Sequence, residues 1–328
     1  MTTPDPPGPD DLTRAILRGD VELDAEQVSE LTGVPVADAG RLWRALGFPE
    51  HAGETVFTRS DAEALETLTG VVASGALDFD TAVNLTRAVG QTMARLADWE
   101  VATLVARIEQ LEAGTGATGS RRATALQMVD QVNEPFERLL VYAWRRHLAA
   151  ATARVEALGA NEEDLHTVEL TVGFADIVSF TKLSNELDED GIGELVEEFE
   201  SRCADVVAAQ GGRVIKSIGD SVLFVHEEPL AALATAEGII ESVGRDERLP
   251  DVRLGLATGP VVMRMGDVFG RPVNLAARMT AVARRNRVIV DEATARTLPA
   301  EEFRVRRLPA RPVHGFGLVE PLTVRRHR

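Results

Sequence analysis

Two carboxylates in this chain sit where they could do chemistry. Asp176 lies in Phe174-Ala-Asp-Ile-Val-Ser-Phe-Thr181, just after an apolar run that reads as a strand over Val168–Phe174. Asp220 follows 44 residues later in Gly212-Arg-Val-Ile-Lys-Ser-Ile-Gly-Asp220-Ser-Val-Leu-Phe224, at a Gly-Asp step between two β-branched runs. That step reads as a tight hairpin holding one carboxylate out at its tip. Two such carboxylates at one sheet edge, together with phosphate oxygens, suit Mg²⁺ or Mn²⁺, which favour oxygen ligands. Ile177, Val178, Ser179, Phe180 and Thr181 are expected to open a helix whose free N–H groups could hold polyphosphate oxygens. Either Asp alone would be an ordinary turn or cap residue.

Two further features strengthen the chemical reading. Of 35 basic residues only Lys182 and Lys216 are lysines, and Lys216 stands inside the first strand of the hairpin. A lysine kept there suggests a site that wants a compact ammonium rather than a guanidinium fork. Downstream runs Gly266-Asp267-Val-Phe-Gly-Arg-Pro-Val-Asn274-Leu-Ala-Ala-Arg278. Asn274 and Arg278 are four apart on an expected helix, hence on one face, and Asp267 lies in the loop before it. The bland alternative is a capped surface helix with scattered polar groups.

The elements that must position these residues begin near Val168. A strand, a helix with an apolar face from Ile192 to Val207, the 212–226 hairpin, a helix over 228–243 and a strand over Val252–Thr258 follow one another. This is the ferredoxin-like order, so the fold class is α+β. A short return over Val261–Met265, a helix from Pro272 to Val282, and strands and a short helix beyond Arg287 complete the half. Before it the chain reads as nearly all helix. Residues 1–10 are expected to be a disordered Pro/Asp-rich tail, 11–158 an all-helical domain with a flexible break over 113–120, about 134–158 a linker helix, 159–167 a linker and 168–328 the domain that carries the candidate site.

The net charge of −17 means that the whole chain repels phosphate backbones and anionic membranes, so a polyanion it binds must be small and met by local cations or metal ions. The single Cys203 excludes an internal disulfide and fits a reducing compartment. The N-terminus lacks the pattern of a signal peptide and no run approaches 18 apolar residues, so the expectation is a cytoplasmic protein without a membrane span.

Residues from about 168 to 326 resemble the catalytic domain of class III adenylyl cyclases. All six catalytic positions of that family are filled in order, by Asp176, Lys216, Asp220, Asp267, Asn274 and Arg278. The short Thr258–Asp267 connection is similar to the subgroup with an abbreviated dimerisation arm. The resemblance implies conversion of ATP to cyclic AMP and pyrophosphate, with Asp176, Asp220 and the main chain at Ile177 holding two Mg²⁺ or Mn²⁺. It implies that Lys216 and Asp267 read adenine, disfavouring a guanylyl cyclase, and that Asn274 orients the ribose. Arg278 would stabilise charge on the α-phosphate, and Arg253 would contact the terminal phosphate. Where the family often has Lys-Gly near the C-terminus, this chain has His314-Gly315, with Arg311 as an alternative phosphate contact. The family's active sites are shared across a homodimer, two per dimer.

The helical half resembles the regulatory domain of actinobacterial pH-responsive cyclases, through its texture and Trp144-Arg-Arg-His147-Leu. Protonation of His147 at mildly acid pH is the candidate regulatory event. Residues 24–61 also resemble the helix-turn-helix and wing of MerR-type regulators. Five acidic residues against Arg41 and Arg44 between Asp24 and Glu50 are the wrong sign for duplex DNA, so no nucleic-acid partner is expected and a silent sensor or DNA-binding regulator is the disfavoured alternative. Cys203 reads as core, and His51, His166, His226 and His327 as surface or loop histidines.

Overall fold

The computed structural model describes residues 9–49, 54–114, 117–157, 167–246, 248–264 and 266–327. The chain divides into two compact units between Ala153 and Arg154. In the first, α1 (Pro9–Leu17), α2 (Ala25–Thr32), α3 (Val36–Leu46), α4 (Arg59–Ala73), α5 (Phe79–Ala113) and all but the last turn of α6 (Arg121–Ala157) follow in order. Asp24 caps α2 in a capping box with Gln27, and Thr58 caps α4 in the same way with Asp61. Val28, Leu42, Trp43 and Leu65 are buried together, and Leu23 forms an isolated antiparallel bridge with Phe57.

Three expectations for this half change. Pro9 and Asp10 belong to α1, so the expected tail is helical at its end, while residues 1–8 lie outside the described residues. The linker helix starts at Arg121 rather than near 134 and carries Pro135 inside it. That proline removes one backbone donor, but good helix formers on either side carry the helix through. The expected flexible break is tied at its far end, where the Glu112 carboxylate accepts hydrogen bonds from the Thr118 and Gly119 amides and the Thr124 hydroxyl. Residues 115–116 and 158–166, most of the expected linker, lie outside the described residues.

The second unit comprises β1 (Thr167–Ile177), α7 (Phe180–Leu183), α8 (Glu189–Ala209), β2 (Arg213–Ile218), β3 (Ser221–His226), α9 (Pro229–Gly244), β4 (Val252–Arg264), β5 (Asp267–Phe269) and α10 (Arg271–Val282). After these come β6 (Arg287–Val290), α11 (Glu292–Thr297), β7 (Phe303–Arg307), β8 (Arg311–Val313), β9 (Gly317–Val319) and β10 (Leu322–Arg326). The main sheet runs β2-β3-β1-β4-β6-β10-β7, with β5 on β4; β8 and β9 form a separate hairpin. Its first four strands pair antiparallel in the ferredoxin-like order, as expected.

The sheet is buried on both faces. Ala175, Ile177, Phe224, Leu254 and Val290 pack toward α8 and α9, with Cys203 fully buried among them. Val172, Phe174, Ala257 and Ile289 pack on the other face toward Leu275, Ala276 and Met279 of α10. Two strands outrun expectation. The expected return over Val261–Met265 is, as far as Arg264, a continuation of β4, which pairs with β1 as far as Thr167↔Val262; Met265 lies outside the described residues. β1 itself runs through Ile177, so Asp176 lies inside the strand, paired with Ser221 and Arg253. No helix among the described residues is long and apolar enough to cross a membrane.

His226 corrects another expectation: it is 4% exposed, with Nε2 2.8 Å from the Thr235 hydroxyl. Burial pushes its pKa down to about 4. The fold therefore favours the neutral ring, and stability held above the ordinary histidine value near 6.5 is lost as pH falls from there toward 4. His226→Gln should flatten this part of the acid profile. Thermal melts of both proteins from pH 7.5 to 4 check it, and parallel profiles would exclude His226 as the cause. His327 is exposed as expected, whereas His51 and His166 lie outside the described residues.

Candidate active site

Asp176 is held from both neighbouring strands. Ser221 Oγ donates to its Oδ1 at 2.5 Å, and Arg253 Nε donates to its Oδ2 at 2.5 Å. Its side chain is 12% exposed, so these charge-assisted bonds offset its loss of water. Ser221 is a positioning residue that sequence reasoning missed. It directly follows Asp220, and the β1–β3 register was the only signal that could have found it.

Asp220 sits beside this cluster because β2 and β3 are joined by two residues, Gly219 and Asp220. Gly219 has φ +60° and Asp220 does not share a positive φ, as in a turn with glycine at its first central position. The Asp220 carbonyl accepts from the Ile177 amide at 3.1 Å, locking the hairpin tip to the end of β1. The Asp220 carboxyl is pushed above its ordinary value, first by burial and then by the negative charge of Asp176; Arg253 opposes the shift. Two mutually repelling carboxylates at one edge form a donor set that fits a divalent cation. Among the described residues no third His, Cys, Asp or Glu joins them, so other ligands would come from main chain, water or a bound phosphate.

The turn after β1 is narrower than expected. The Val178 amide already bonds the Asp251 carbonyl at 2.8 Å, and α7 spans only Phe180–Leu183, entered through Ser179 at φ +61°. The segment therefore offers the amides of Ser179, Phe180 and Thr181 rather than all five. Asp251 is itself fixed by Asn286, whose Nδ2 donates to Asp251 Oδ1 at 2.6 Å while its Oδ1 accepts from the Val252 amide at 3.1 Å. Asn286 takes φ +53°, a conformation asparagine tolerates better than most residues. Arg253 spends Nη1 on the Ala281 carbonyl at 3.2 Å as well as Nε on Asp176, leaving Nη2 without a partner among the described residues.

Lys216 and Asp267 meet. Lys216 Nζ lies 2.5 Å from Asp267 Oδ2, with side chains 35% and 26% exposed, and the Val268 amide fixes the other carboxylate oxygen at 2.8 Å. A register shift between Val214 and Lys216 marks a bulge in β2, a device that re-aims side chains. Asp267 lies on β5 rather than in a loop, paired with Arg264.

Asn274 and Arg278 occupy the exposed face of α10, as their spacing predicts. The opposite face is buried, and the helix backbone comes so close to β4 that a Cβ on Gly255 would stand 2.6 Å from the Ala276 carbonyl oxygen. Neither Asn274 nor Arg278 has a side-chain hydrogen bond or ion pair among the described residues. The candidate residues thus form a carboxylate cluster (Asp176, Asp220, Arg253), an ammonium–carboxylate pair and two free side chains, with no bond linking the groups. His147 is exposed on α6, in the other unit.

Residues 163–323 match the family described as "Adenylate and Guanylate cyclase catalytic domain". The chain is 38% identical over 323 residues to an adenylate cyclase of Streptomyces coelicolor, covering 90% of this chain and 84% of that one. It is 36% identical over 326 residues to an adenylate cyclase of Glutamicibacter nicotianae, covering 94% and 80%. A pH-sensitive adenylate cyclase of Mycobacterium tuberculosis is 30% identical over 286 residues, covering 84% and 70%. The similarity to the first two extends through the helical half as well as the sheet, and on it the chain belongs to the class III nucleotide cyclases.

Proposed function

We propose that this protein is a cytoplasmic adenylyl cyclase that converts ATP to 3′,5′-cyclic AMP and pyrophosphate in sites shared by two copies of the chain. The observation that carries the reading is the Lys216–Asp267 pair, a donor beside an acceptor. Adenine presents N1 as acceptor and its 6-amino group as donor, which such a pair complements. Guanine presents the reverse at those positions.

Two Mg²⁺ or Mn²⁺ held by Asp176, Asp220 and the Ile177 carbonyl would supply Lewis-acid stabilisation of the attacking and leaving oxygens. The chain's own groups do the rest. The amides of Ser179 to Thr181 and the free Nη2 of Arg253 bind phosphate oxygens. Asn274 orients the ribose so that its 3′-hydroxyl faces the α-phosphate. Arg278 places a guanidinium where negative charge grows in the transition state. Sharing is supported by Asn274 and Arg278 having no side-chain partner among the described residues of one chain. The relative named pH-sensitive supports regulation by pH, with His147 as the group on α6 assigned to it.

Purified protein incubated with Mn²⁺ and ATP or GTP across a pH series, with products separated by chromatography, tests the reading. Cyclic AMP should form in large excess over cyclic GMP, and its absence at every pH would overturn the assignment. An unchanged pH profile in His147→Ala would remove that residue's role. Lys216→Met leaves Asp267 without its ammonium and the adenine acceptor unmet, a loss of about 1–3 kcal/mol. The ratio of kcat/KM for ATP over GTP should fall roughly 5- to 150-fold, and an unchanged ratio would show that the pair does not read the base.

A further inference from the structure

We propose that the outer face of the sheet in the second unit carries a separate binding site for an inorganic polyphosphate anion of the pyrophosphate class, built from Arg287, Arg306 and Arg325. Residues that pair directly across strands point to the same face, as do residues two apart along one strand. Asp176 pairs with Arg253 and Arg253 with Arg287. Two residues beyond Arg287, Ile289 pairs with Thr323, which pairs in turn with Arg306, and Arg325 pairs with Arg304. All of these side chains therefore share the face of Asp176, forming a track of guanidiniums that leads away from the carboxylate edge.

Helix α10 covers this face over β1, β4 and β6. Beyond it, next to the short β6–β10 pairing, lies a cavity of about 950 Å³, lined from this face by Arg287, Arg306 and Arg325 and from the opposite face by Arg326 and the one acid, Glu237 of α9, with Arg284 and Arg311 also at its wall. Glu237 is taken by Arg326 at 2.9 Å. The other five arginines have no carboxylate partner among the described residues. Carboxylates are in excess in a chain of net charge −17, and neighbouring arginines do find them: Arg285 pairs with Asp251, and Arg307 with Glu292 and Glu320. Guanidiniums left unpaired around one cavity repel each other, and a multiply charged anion removes that repulsion. Phosphate oxygens match their forked donors bidentately. That pyrophosphate would arrive here as a product rests on the cyclase reading; the site itself rests on the arginines.

Calorimetric titration of pyrophosphate into the full chain in EDTA, which silences the metal-dependent edge, tests the site. Tripolyphosphate should bind more tightly than pyrophosphate, and orthophosphate least. Arg306→Ser with Arg325→Ser should weaken pyrophosphate binding at least about tenfold, and the two lysine replacements, which keep charge but lose the fork, by less. Arg307→Ser, on the same strand but the opposite face, should leave affinity within about twofold, since neither Arg307 nor its partners Glu292 and Glu320 line the cavity. Thermal melts confirm that each variant is folded. Equal losses in the paired and control variants, no binding by the parent, or capture of a single-stranded oligonucleotide without capture of pyrophosphate would overturn the proposal. Cyclic AMP formation measured in parallel reads the cyclase assignment independently of these outcomes.

Discussion

Asp220→Asn is expected to lower cyclic AMP formation by on the order of 10³-fold, about 4 kcal/mol of transition-state stabilisation. The substitution keeps size and shape, and the Asp220 carbonyl still accepts from the Ile177 amide, so the hairpin tip should stay in place. What it removes is one of the two carboxylate charges at this edge, the pair proposed to hold the divalent cations. With Asp176 already committed to Ser221 and Arg253, the remaining carboxylate is partly neutralised and cannot replace its partner. Steady-state kinetics with Mn²⁺ titrated over a wide range check this. Activity restored to the parent level by more Mn²⁺ would show weakened affinity rather than lost chemistry.

Arg278→Ala is expected to reduce kcat by about 10²–10³-fold with little change in KM. The side chain lies on the exposed face of α10, while that helix is anchored by Leu275, Ala276 and Met279 on its other side. Truncation therefore leaves the fold intact, and thermal melting should be unchanged. A guanidinium that acts only on charge developing in the transition state affects kcat and not ground-state binding. A rise in KM with kcat preserved would assign Arg278 to substrate binding instead.

Parts of this site were legible in the sequence as local patterns, and the rest through the family resemblance that the motifs carry. Asn274 and Arg278 share a helix face by their four-residue separation, and Gly219-Asp220 marks its own turn. The ferredoxin-like order followed from alternating apolar periods. What was not legible depends on pairing between distant segments. The commitment of Arg253 to Asp176 follows from the β1–β4 register, which no local pattern encodes. Ser221 and Asn286 act through strands or loops far from them in sequence. The burial of His226 follows from α9 closing over the end of β3, a tertiary contact that a polar residue at a strand terminus does not announce. Strand ends were underestimated for the same reason: Asp176 and the Val261–Met263 stretch are polar or follow glycine and proline, yet backbone pairing with β1 and β4 extends the ladder through them.

On the proposed reading each site takes its carboxylates from one chain and its adenine, ribose and transition-state contacts from another, so mixing an Asp176→Ala chain with an Arg278→Ala chain and measuring cyclic AMP tests the sharing. Each variant alone should be nearly inactive, and the mixture should regain activity, because a mixed dimer contains one site with both parts intact. A mixture that stays as inactive as its components, while sedimentation shows that mixed dimers form, would contradict shared sites.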